Sequence, residues 1–160
     1  MSSLATAAAA VAANAAGEGV DIIARAKASA AEYRYDYQDL AEIAYNGGLV
    51  NGLLPESLQH RTSLFALGLQ RAGISLLPSI SHLRQLATLD VSCNSLGSLP
   101  ASISQLRRLE ILDCSDNKLL ELPHSLFDLS LLKQLIAYKN SIGVLQDAVN
   151  QLTQLEEINL

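Results

Sequence analysis

Residues 86–108 read LATLDVSCNSLGSLPASISQLRR, and residues 109–131 read LEILDCSDNKLLELPHSLFDLSL. Aligned without gaps, the two stretches are consecutive copies of one 23-residue unit. They share apolar residues at positions 1, 4, 6, 11, 14, 18 and 21, an asparagine at position 9 and a proline at position 15. Self-similarity of this kind predicts a solenoid, in which each unit buries its apolar side chains against its neighbours.

The repeat extends in both directions along the chain. Residues 132–154 form a third unit, with Gln146 at the proline position, and residues 64–85 form a unit one residue shorter, with Ala72 at the asparagine position. The asparagines at this position are Asn94, Asn117 and Asn140. Each proline of the chain follows a leucine, and the prolines recur at the spacing of the repeat: Pro55, Pro78, Pro100 and Pro123.

Composition divides the chain into two parts and excludes several classes of protein. Of the 31 leucines, 29 lie in the segment 49–160, whereas 14 alanines lie between Met1 and Ala31. With 49% apolar and 17% charged residues, the chain is not expected to be disordered as a whole. A net charge of −5 argues against a nucleic-acid partner, and no stretch is apolar enough to predict a transmembrane helix.

Each unit predicts the same local structure. Alternating apolar residues such as Leu86, Leu89 and Val91 indicate a short strand with one buried face. The following asparagine stands where the chain leaves the strand, and its amide suits backbone groups that the bend leaves unpaired. We therefore expect Asn94, Asn117 and Asn140 to form a ladder. The Leu-Pro pair favours extended backbone, and a short helix or helical turn, for example over residues 102–108, is expected to follow.

This pattern resembles the leucine-rich repeat family. The match is to its 23-residue, intracellular type with a Leu-Pro pair, which includes plant Ras-group and animal Ras-scaffold repeat proteins, and it covers about residues 53–160. The resemblance implies an α/β solenoid with a curved parallel sheet on its concave face and short helices or turns on its convex face. It also implies a cytoplasmic scaffold or adaptor that binds a partner protein, with small-GTPase signalling as one setting.

The strand alternation identifies the residues that point to the concave face, and we expect them to be exposed and to bind a partner. Asp90 and Asp113 should be neighbours on adjacent strands, where they either dock a lysine or arginine of the partner or are solvated and hydrogen-bonded by nearby hydroxyls. Ile111, Ile136 and Tyr138 are expected to form an apolar interface centre. The predicted partner-binding residues are Thr88, Asp90, Ser92, Ile111, Asp113, Ser115, Gln134, Ile136 and Tyr138.

The sequence does not predict catalysis. His60, His82 and His124 fall in helix or loop positions of different units. The chain has no glycine-rich phosphate loop, and Cys93 and Cys114 have no partner at metal-binding or redox spacing. We expect neither a cofactor nor a metal. The alternatives are a structural subunit of a large assembly, or the recognition domain of a longer enzyme, since repeats of the resembling family are fused to kinases, phosphatases and ubiquitin ligases.

The N-terminal segment is expected to cap the solenoid. Residues 1–19 are predicted to be an Ala-rich flexible tail, with a targeting role left open, and residues 20–48 a capping helix that precedes the repeat domain at 49–160. The helix prediction depends on a stripe at helical spacing that ends before a glycine pair: Tyr33, Tyr37, Leu40, Ala41 and Ala44. An alternative is a helix that docks on another subunit.

The last residues predict a solenoid end that is not closed. Leu155, Ile158 and Leu160 begin a further unit, and the printed sequence stops inside its strand. An end unit exposes an apolar cross-section unless it is covered. We therefore expect this end to be covered by further repeats, the chain then being a fragment of a longer protein, or by another chain.

Overall fold

In a computed structural model of the protein, the structure describes residues 42–44, 60–145 and 147–160. Within these residues, six short strands form one parallel sheet whose spatial order is the order of the chain. A parallel sheet in sequential order, with one strand from each repeat, is the architecture that the sequence repeat predicts. The strands are β1 (Glu42–Ala44), β2 (Ala66–Gly68), β3 (Thr88–Asp90), β4 (Ile111–Asp113), β5 (Gln134–Ile136) and β6 (Glu157–Asn159).

The strand register follows the sequence repeat residue by residue. Leu89 of β3 pairs with Leu67 of β2 on one side and with Leu112 of β4 on the other. Leu135 of β5 continues the same row and pairs with Ile158 of β6. Equivalent residues of successive units thus stack directly on one another. The predicted fold class, an α/β solenoid with a parallel sheet, is confirmed.

The core is a column of leucines between the sheet and the Leu-Pro side of the solenoid. Most apolar positions of the unit that starts at Leu86 have no exposed surface, and their equivalents in the next unit are buried as well. No single unit could bury these side chains alone, so the core exists only through stacking. In the unit of residues 86–108 the buried apolar residues at the repeat positions are Leu86, Leu89, Val91, Leu96, Leu99, Ile103 and Leu106.

The side opposite the sheet is made of short 3₁₀ helices, two of which begin directly after a proline. Pro100 has extended backbone, with φ −70° and ψ 145°, and residues Ala101–Gln105 follow as a 3₁₀ helix. Pro123 has a similar conformation before His124–Asp128, and Asp147–Gln151 is equivalent in the next unit. Of the short helix or helical turn predicted near 102–108, the shorter alternative is present, since a five-residue 3₁₀ helix suffices to bring Ile103 back into the core.

A left-handed residue precedes the asparagine position in each unit from Leu64 to Leu145, a feature that the sequence pattern does not predict. The φ angles of Arg71, Cys93, Asp116 and Lys139 lie between 52° and 55°. In this region the Cβ of an L-residue crowds its own backbone, at a cost of about 1 kcal/mol. The recurrence at one position shows that the turn out of the strand requires this conformation whatever side chain is present.

The prediction of a capping helix over residues 20–48 is wrong for the only three of these residues that the structure describes. Glu42–Ala44 form β1 and pair in parallel with Ala66–Gly68. The reason lies in the sequence, because this stretch also matches the apolar spacing of the repeat strands. Its residues Leu40, Ile43 and Tyr45 have the spacing of Leu64, Leu67 and Leu69. The strand pattern and the helical stripe therefore overlap here. The flexible tail, the rest of the capping helix and the residues up to 59 lie outside the described residues.

The left-handed turn yields a stability prediction. Replacing Cys93 by glycine removes the Cβ from a backbone at φ 54°, so we expect Cys93→Gly to raise the free energy of unfolding by about 1 kcal/mol. The matched control is Ser95→Gly, two residues on, where φ is not positive and the substitution should lower stability by roughly 0.5–1 kcal/mol. Urea denaturation of both variants measures the difference. Equal destabilisation by the two would contradict a strained turn.

Candidate functional site: the outer face of the sheet

The side of the sheet that points away from the leucine core, predicted above to be the concave face, is called the outer face. The asparagine ladder holds the strands in the register that builds it. The Asn117 Nδ2 group donates to the carbonyl oxygens of Cys114 and Ser115 in its own unit, and to that of Val91 in the preceding unit, at 3.0–3.1 Å. Its Oδ1 accepts the backbone N–H of Leu96 at 2.9 Å. One side chain thus pairs four backbone groups on two units.

The other two asparagines repeat this arrangement. Asn94 accepts the N–H of Ile74 at 3.1 Å and donates to the carbonyl of Leu69 at 2.9 Å, both in the preceding unit. Asn140 accepts the N–H of Leu119 at 3.0 Å and donates to the carbonyl of Cys114 at 3.0 Å. The predicted ladder of Asn94, Asn117 and Asn140 is confirmed, and its bonds run between units as well as within them.

The ladder bonds predict a large effect of a single truncation. Asn117→Ala leaves the Leu96 N–H without its acceptor and removes one donor from each of three carbonyls that keep another, so we expect the free energy of unfolding to fall by about 1–3 kcal/mol. Lys118→Ala, at the exposed neighbouring position, is the control and should change it by less than about 0.5 kcal/mol. Urea denaturation compares the two. A loss no greater than that of the control would contradict a structural role for the ladder.

The outer face consists of parallel rows that cross the strands, because equivalent residues stack. We call them the first, second and third rows. The first row contains Ala66, Thr88, Ile111, Gln134 and Glu157, and the second contains Gly68, Asp90, Asp113, Ile136 and Asn159. The third row lies two residues beyond the second and contains Gln70, Ser92, Ser115 and Tyr138. All nine predicted partner-binding residues lie in these three rows.

The predicted exposure of these residues is wrong for most of them. Thr88, Asp90, Ser92, Ile111, Asp113, Ser115 and Ile136 are only 2–9% exposed, while Gln134 and Tyr138 are half-buried. Parallel strands about 4.8 Å apart bring side chains of one row into contact, and several of these side chains also bond or pack within the face. The accessible part of the predicted site is therefore smaller than alternation alone implies.

The two aspartates are adjacent and are hydrogen-bonded within their own strands. Asp90 pairs with Asp113 across β3 and β4. The Oδ1 atom of Asp90 accepts the backbone N–H of Ser92 at 2.9 Å. The Oδ1 atom of Asp113 accepts the N–H of Ser115 at 2.8 Å and its hydroxyl at 2.6 Å. The sequence left two alternatives for this pair, docking of a basic partner residue or hydrogen bonds from nearby hydroxyl-bearing residues. The hydrogen bonds from nearby serines are present.

Burial changes the acidity of both carboxyl groups. Desolvation, with a smaller contribution from the Asp113 charge, raises the pKa of Asp90 to about 6 against the opposing hydrogen bonds from Ser92. Desolvation also raises the pKa of Asp113, against hydrogen bonds from Ser115. Asp90 therefore changes its protonation state at slightly acidic pH, beside a second carboxyl whose pKa is also raised.

The raised pKa of Asp90 predicts how stability depends on pH. A carboxyl whose pKa is higher in the folded than in the unfolded protein contributes to stability at low pH, where it is protonated. For Asp90 this contribution is fully present below the unfolded pKa of 3.8 and is lost as the pH rises through the folded pKa of about 6. Asp90→Asn keeps an oxygen for the Ser92 N–H and cannot ionise. We expect it to raise the free energy of unfolding at pH 7.5 by up to about 3 kcal/mol.

The same substitution should have little effect on stability at pH 4, where Asp90 is already neutral in the folded protein. Urea denaturation at the two pH values measures the contrast. Asp128→Asn, at an exposed position of a 3₁₀ helix, is the control and should show no such contrast. An Asp90→Asn variant that is less stable than the parent protein at pH 7.5 would contradict desolvation as the dominant cause.

We call Asp90 and Asp113 the acid pair. An apolar cluster lies beside this pair, at the β4–β5 side of the outer face. Ile111 and Ile136 contact each other, and Tyr138 packs on them. The Lys139 Nζ atom lies 5.6 Å from the centre of the Tyr138 ring, a cation–π distance. Next to the cluster, the Gln134 Nε2 group donates to Glu157 Oε2 at 3.2 Å. Ile111, Ile136 and Tyr138 are therefore brought together as predicted, with polar groups around them.

Gln70 adds a feature that the sequence did not reveal. An alanine Cβ at Gly68 would lie 2.7 Å from Gln70 Oε1, so the Gln70 side chain lies over the small residue of the second row. Among the described residues this buried oxygen has no hydrogen-bond partner. It gives the β2 end of the face an acceptor beside the acid pair.

The remaining candidate groups have structural roles. Burial raises the pKa of the Cys114 thiol to about 12, as suits a core residue, and Cys93 is half-buried at its left-handed turn. Phe127 is buried and meets His124 edge-on, with ring centres 6.2 Å apart. Lys133 forms an ion pair with Glu110 at 2.8 Å.

The described part of the chain contains no group of three or more His, Cys, Asp or Glu side chains arranged to hold a metal ion. Of the helices in residues 60–145 and 147–160, none has the length and apolarity that crossing a bilayer requires. Neither finding adds a second candidate site to the outer face.

Comparison with known proteins places residues 52–160 in a family model described as a leucine-rich repeat region. Among solved structures, a leucine-rich repeat protein of Leptospira interrogans is 31% identical with a TM-score of 0.60, and the match covers 67% of this chain and 28% of that one. No curated protein sequence is similar enough to count as a match.

A second solved structure, that of PEPR1 with AtPEP1, is 28% identical with a TM-score of 0.58. The match covers 65% of this chain and 15% of that one. This chain therefore spans less than a third of the length of each of the two proteins.

Proposed function

Because the chain belongs to the leucine-rich repeat family, whose domains are in general protein–protein interaction modules, we propose that it binds a partner protein through the outer face of its sheet. The observation that carries this proposal is the joint position of the acid pair and the apolar cluster. Asp113 and Ile136 are direct neighbours in the second row. A partner that covers both meets an apolar centre with a charged flank, which is the usual composition of an interface.

The accessible side chains define where the first contact is made. Tyr138 and Gln134 are half-buried, and Lys139 is exposed beside the Tyr138 ring. Tyrosine contributes strongly to interfaces because it offers a large apolar ring and a hydroxyl at a small entropic cost. We place the centre of the interface at Tyr138, with Ile111 and Ile136 beneath it as its support.

The acid pair sets the charge preference of the partner. A lysine or arginine brought to Asp90 and Asp113 would favour their ionised forms and lower their pKa values, in opposition to burial. Gln70 Oε1 and the serines of the third row lie along the same side. We therefore infer that the partner carries a basic group near an apolar one, and that its affinity falls as the pH is lowered through about 6, where Asp90 is protonated.

The cellular role proposed here is that of a scaffold or adaptor in the cytoplasm. The 23-residue spacing and the Leu-Pro pairs support the intracellular type of the family, to which the plant Ras-group proteins belong. A catalytic role is not proposed, because the outer face is built of groups suited to contact and the acid pair is committed to serine bonds.

A quantitative capture experiment tests the proposed face. The protein is immobilised and exposed to an extract, and the retained proteins are compared with those retained by Tyr138→Ala and by the double variant Gln134→Ala, Tyr138→Ala. We expect any specific partner to be reduced at least about tenfold, as for a central interface residue. Leu120→Ala is the control, because Leu120 is exposed on a loop away from the sheet.

The outcome separates the proposed face from other surfaces. Circular dichroism checks that each variant remains folded, which is expected since Gln134 and Tyr138 are not core residues. Loss of a partner in the tyrosine variants with retention in the control supports the outer face. Partners retained equally by all variants would assign binding to another surface.

A further inference from the structure

The two turns that lead into β3 and β4 carry three exposed arginines. In the turn 83–86 the last N–H donates to the first carbonyl oxygen at 3.0 Å, and Arg84 lies at the tip. In the turn 106–109 the same hydrogen bond is 2.9 Å long, and Arg107 and Arg108 lie at the tip. The leucines that close both turns have no exposed surface, so the core fixes where the arginine backbones lie. We call these two segments the arginine turns.

Hydrogen bonds between units hold the arginine turns in register. The N–H groups of Ala87 and Thr88 both donate to the Phe65 carbonyl oxygen, at 2.8 and 3.1 Å. The same pair of bonds, at 2.8 and 3.0 Å, joins the next unit to the Ala87 carbonyl oxygen. Because paired strands lie about 4.8 Å apart, the equivalent residues Arg84 and Arg107 stand side by side. Like charges held in this way repel, and a bound anion relieves that repulsion.

The three arginines are not neutralised by neighbouring acids. No carboxylate in the part of the chain that the structure describes forms an ion pair with any of them. The next acid along the chain, Glu110, is paired with Lys133 at 2.8 Å. Asp90 is buried on the outer face, where it accepts the N–H of Ser92. The guanidinium groups therefore remain free to bind a ligand.

The sequence around the arginine turns is basic, although the chain as a whole is acidic. Residues 57–109 contain five arginines, no lysine and a single acid, Asp90, so they carry a net charge of +4 in a chain whose total is −5. A local excess of one charge attracts groups of the opposite sign. Among these, arginine binds carboxylates especially well, through two parallel hydrogen bonds.

We propose that the arginine turns bind an acidic segment of a partner protein, whose carboxylates pair with Arg84, Arg107 and Arg108. The turns precede β3 and β4, so this surface is separate from the three rows of the outer face. Binding here does not depend on the proposed role of that face. The two surfaces differ in preference, since the outer face takes a basic group and the arginine turns take an acidic one.

The spacing of the arginines favours an extended acidic segment over a second copy of this chain. In an extended segment, acids at alternate residues lie on one side, about 6.6 Å apart, and can follow a row of guanidinium groups. In this chain the exposed acids Asp116, Glu121 and Asp128 lie at positions 8, 13 and 20 of one unit. They are spread around the unit and do not form such a row.

A short synthetic peptide of alternating glutamate and serine provides the probe. It carries an uncharged fluorophore, and a matched peptide has glutamine in place of every glutamate. Fluorescence anisotropy with the full 160-residue protein measures both affinities. We expect the glutamate peptide alone to bind, with an affinity that falls as salt is added. In NMR spectra, the amide signals of residues 83–86 and 106–109 should shift when this peptide is added.

Substitution of the arginines distinguishes a site from general charge attraction. Arg107→Gln should weaken binding of the glutamate peptide about threefold, and Arg84→Gln combined with Arg107→Gln about tenfold, the range of one and two exposed charge pairs. Arg71→Gln is the matched control, because it removes the same charge from an exposed arginine where the chain leaves β2. It should leave the affinity unchanged, as should Tyr138→Ala on the outer face.

Four results would overturn the proposal. Failure of the glutamate peptide to bind, or equal binding of the glutamine peptide, would exclude carboxylate recognition. Equal weakening by Arg71→Gln and Arg107→Gln would indicate diffuse attraction without a site. A single-stranded oligonucleotide that binds more tightly than the glutamate peptide would make nucleic acid the ligand. Concentration-dependent association of the protein alone, lost in Arg107→Gln, would make a second copy the occupant.

Discussion

The hydrogen bonds of the ladder asparagines are the constraint on which the rest of the structure depends. A strand of three residues must turn out of the sheet at once, and the turn leaves carbonyls and an N–H inside the solenoid without partners. Asn117 pairs these groups on its own unit and on the unit before it. Because the bonds cross between units, they fix the register that stacks the leucines, and the leucine column in turn makes the units inseparable.

The same turn explains why the left-handed residues recur. The residue before the ladder position has a positive φ where an asparagine follows, as at Cys93, and also at Arg71, where Ala72 follows, so the turn itself requires this conformation. None of these residues is glycine, so about 1 kcal/mol is lost at each turn. Where an asparagine follows, its bonds to buried backbone groups are worth more than this.

Sequence predicts those features of this chain that repeat. The period, the parallel sheet, the asparagine ladder and the pairing of Asp90 with Asp113 all follow from equivalent positions in successive units. Features that depend on a single unit were harder to predict. At Glu42–Ala44 the helical and strand patterns coincide within a short stretch, and pairing with β2 decides between them. Exposure was overestimated on the outer face because alternation gives the direction of a side chain but not what its row neighbours cover.

The burial of the outer face determines how this solenoid presents itself to a partner. Asp90 and Ile136 are already buried, so a partner gains little further apolar burial from them. Tyr138 is half-buried, so its ring offers apolar surface that a partner can still cover. The outer face therefore favours selectivity through the charge of Asp90 and Asp113 and through a single aromatic ring.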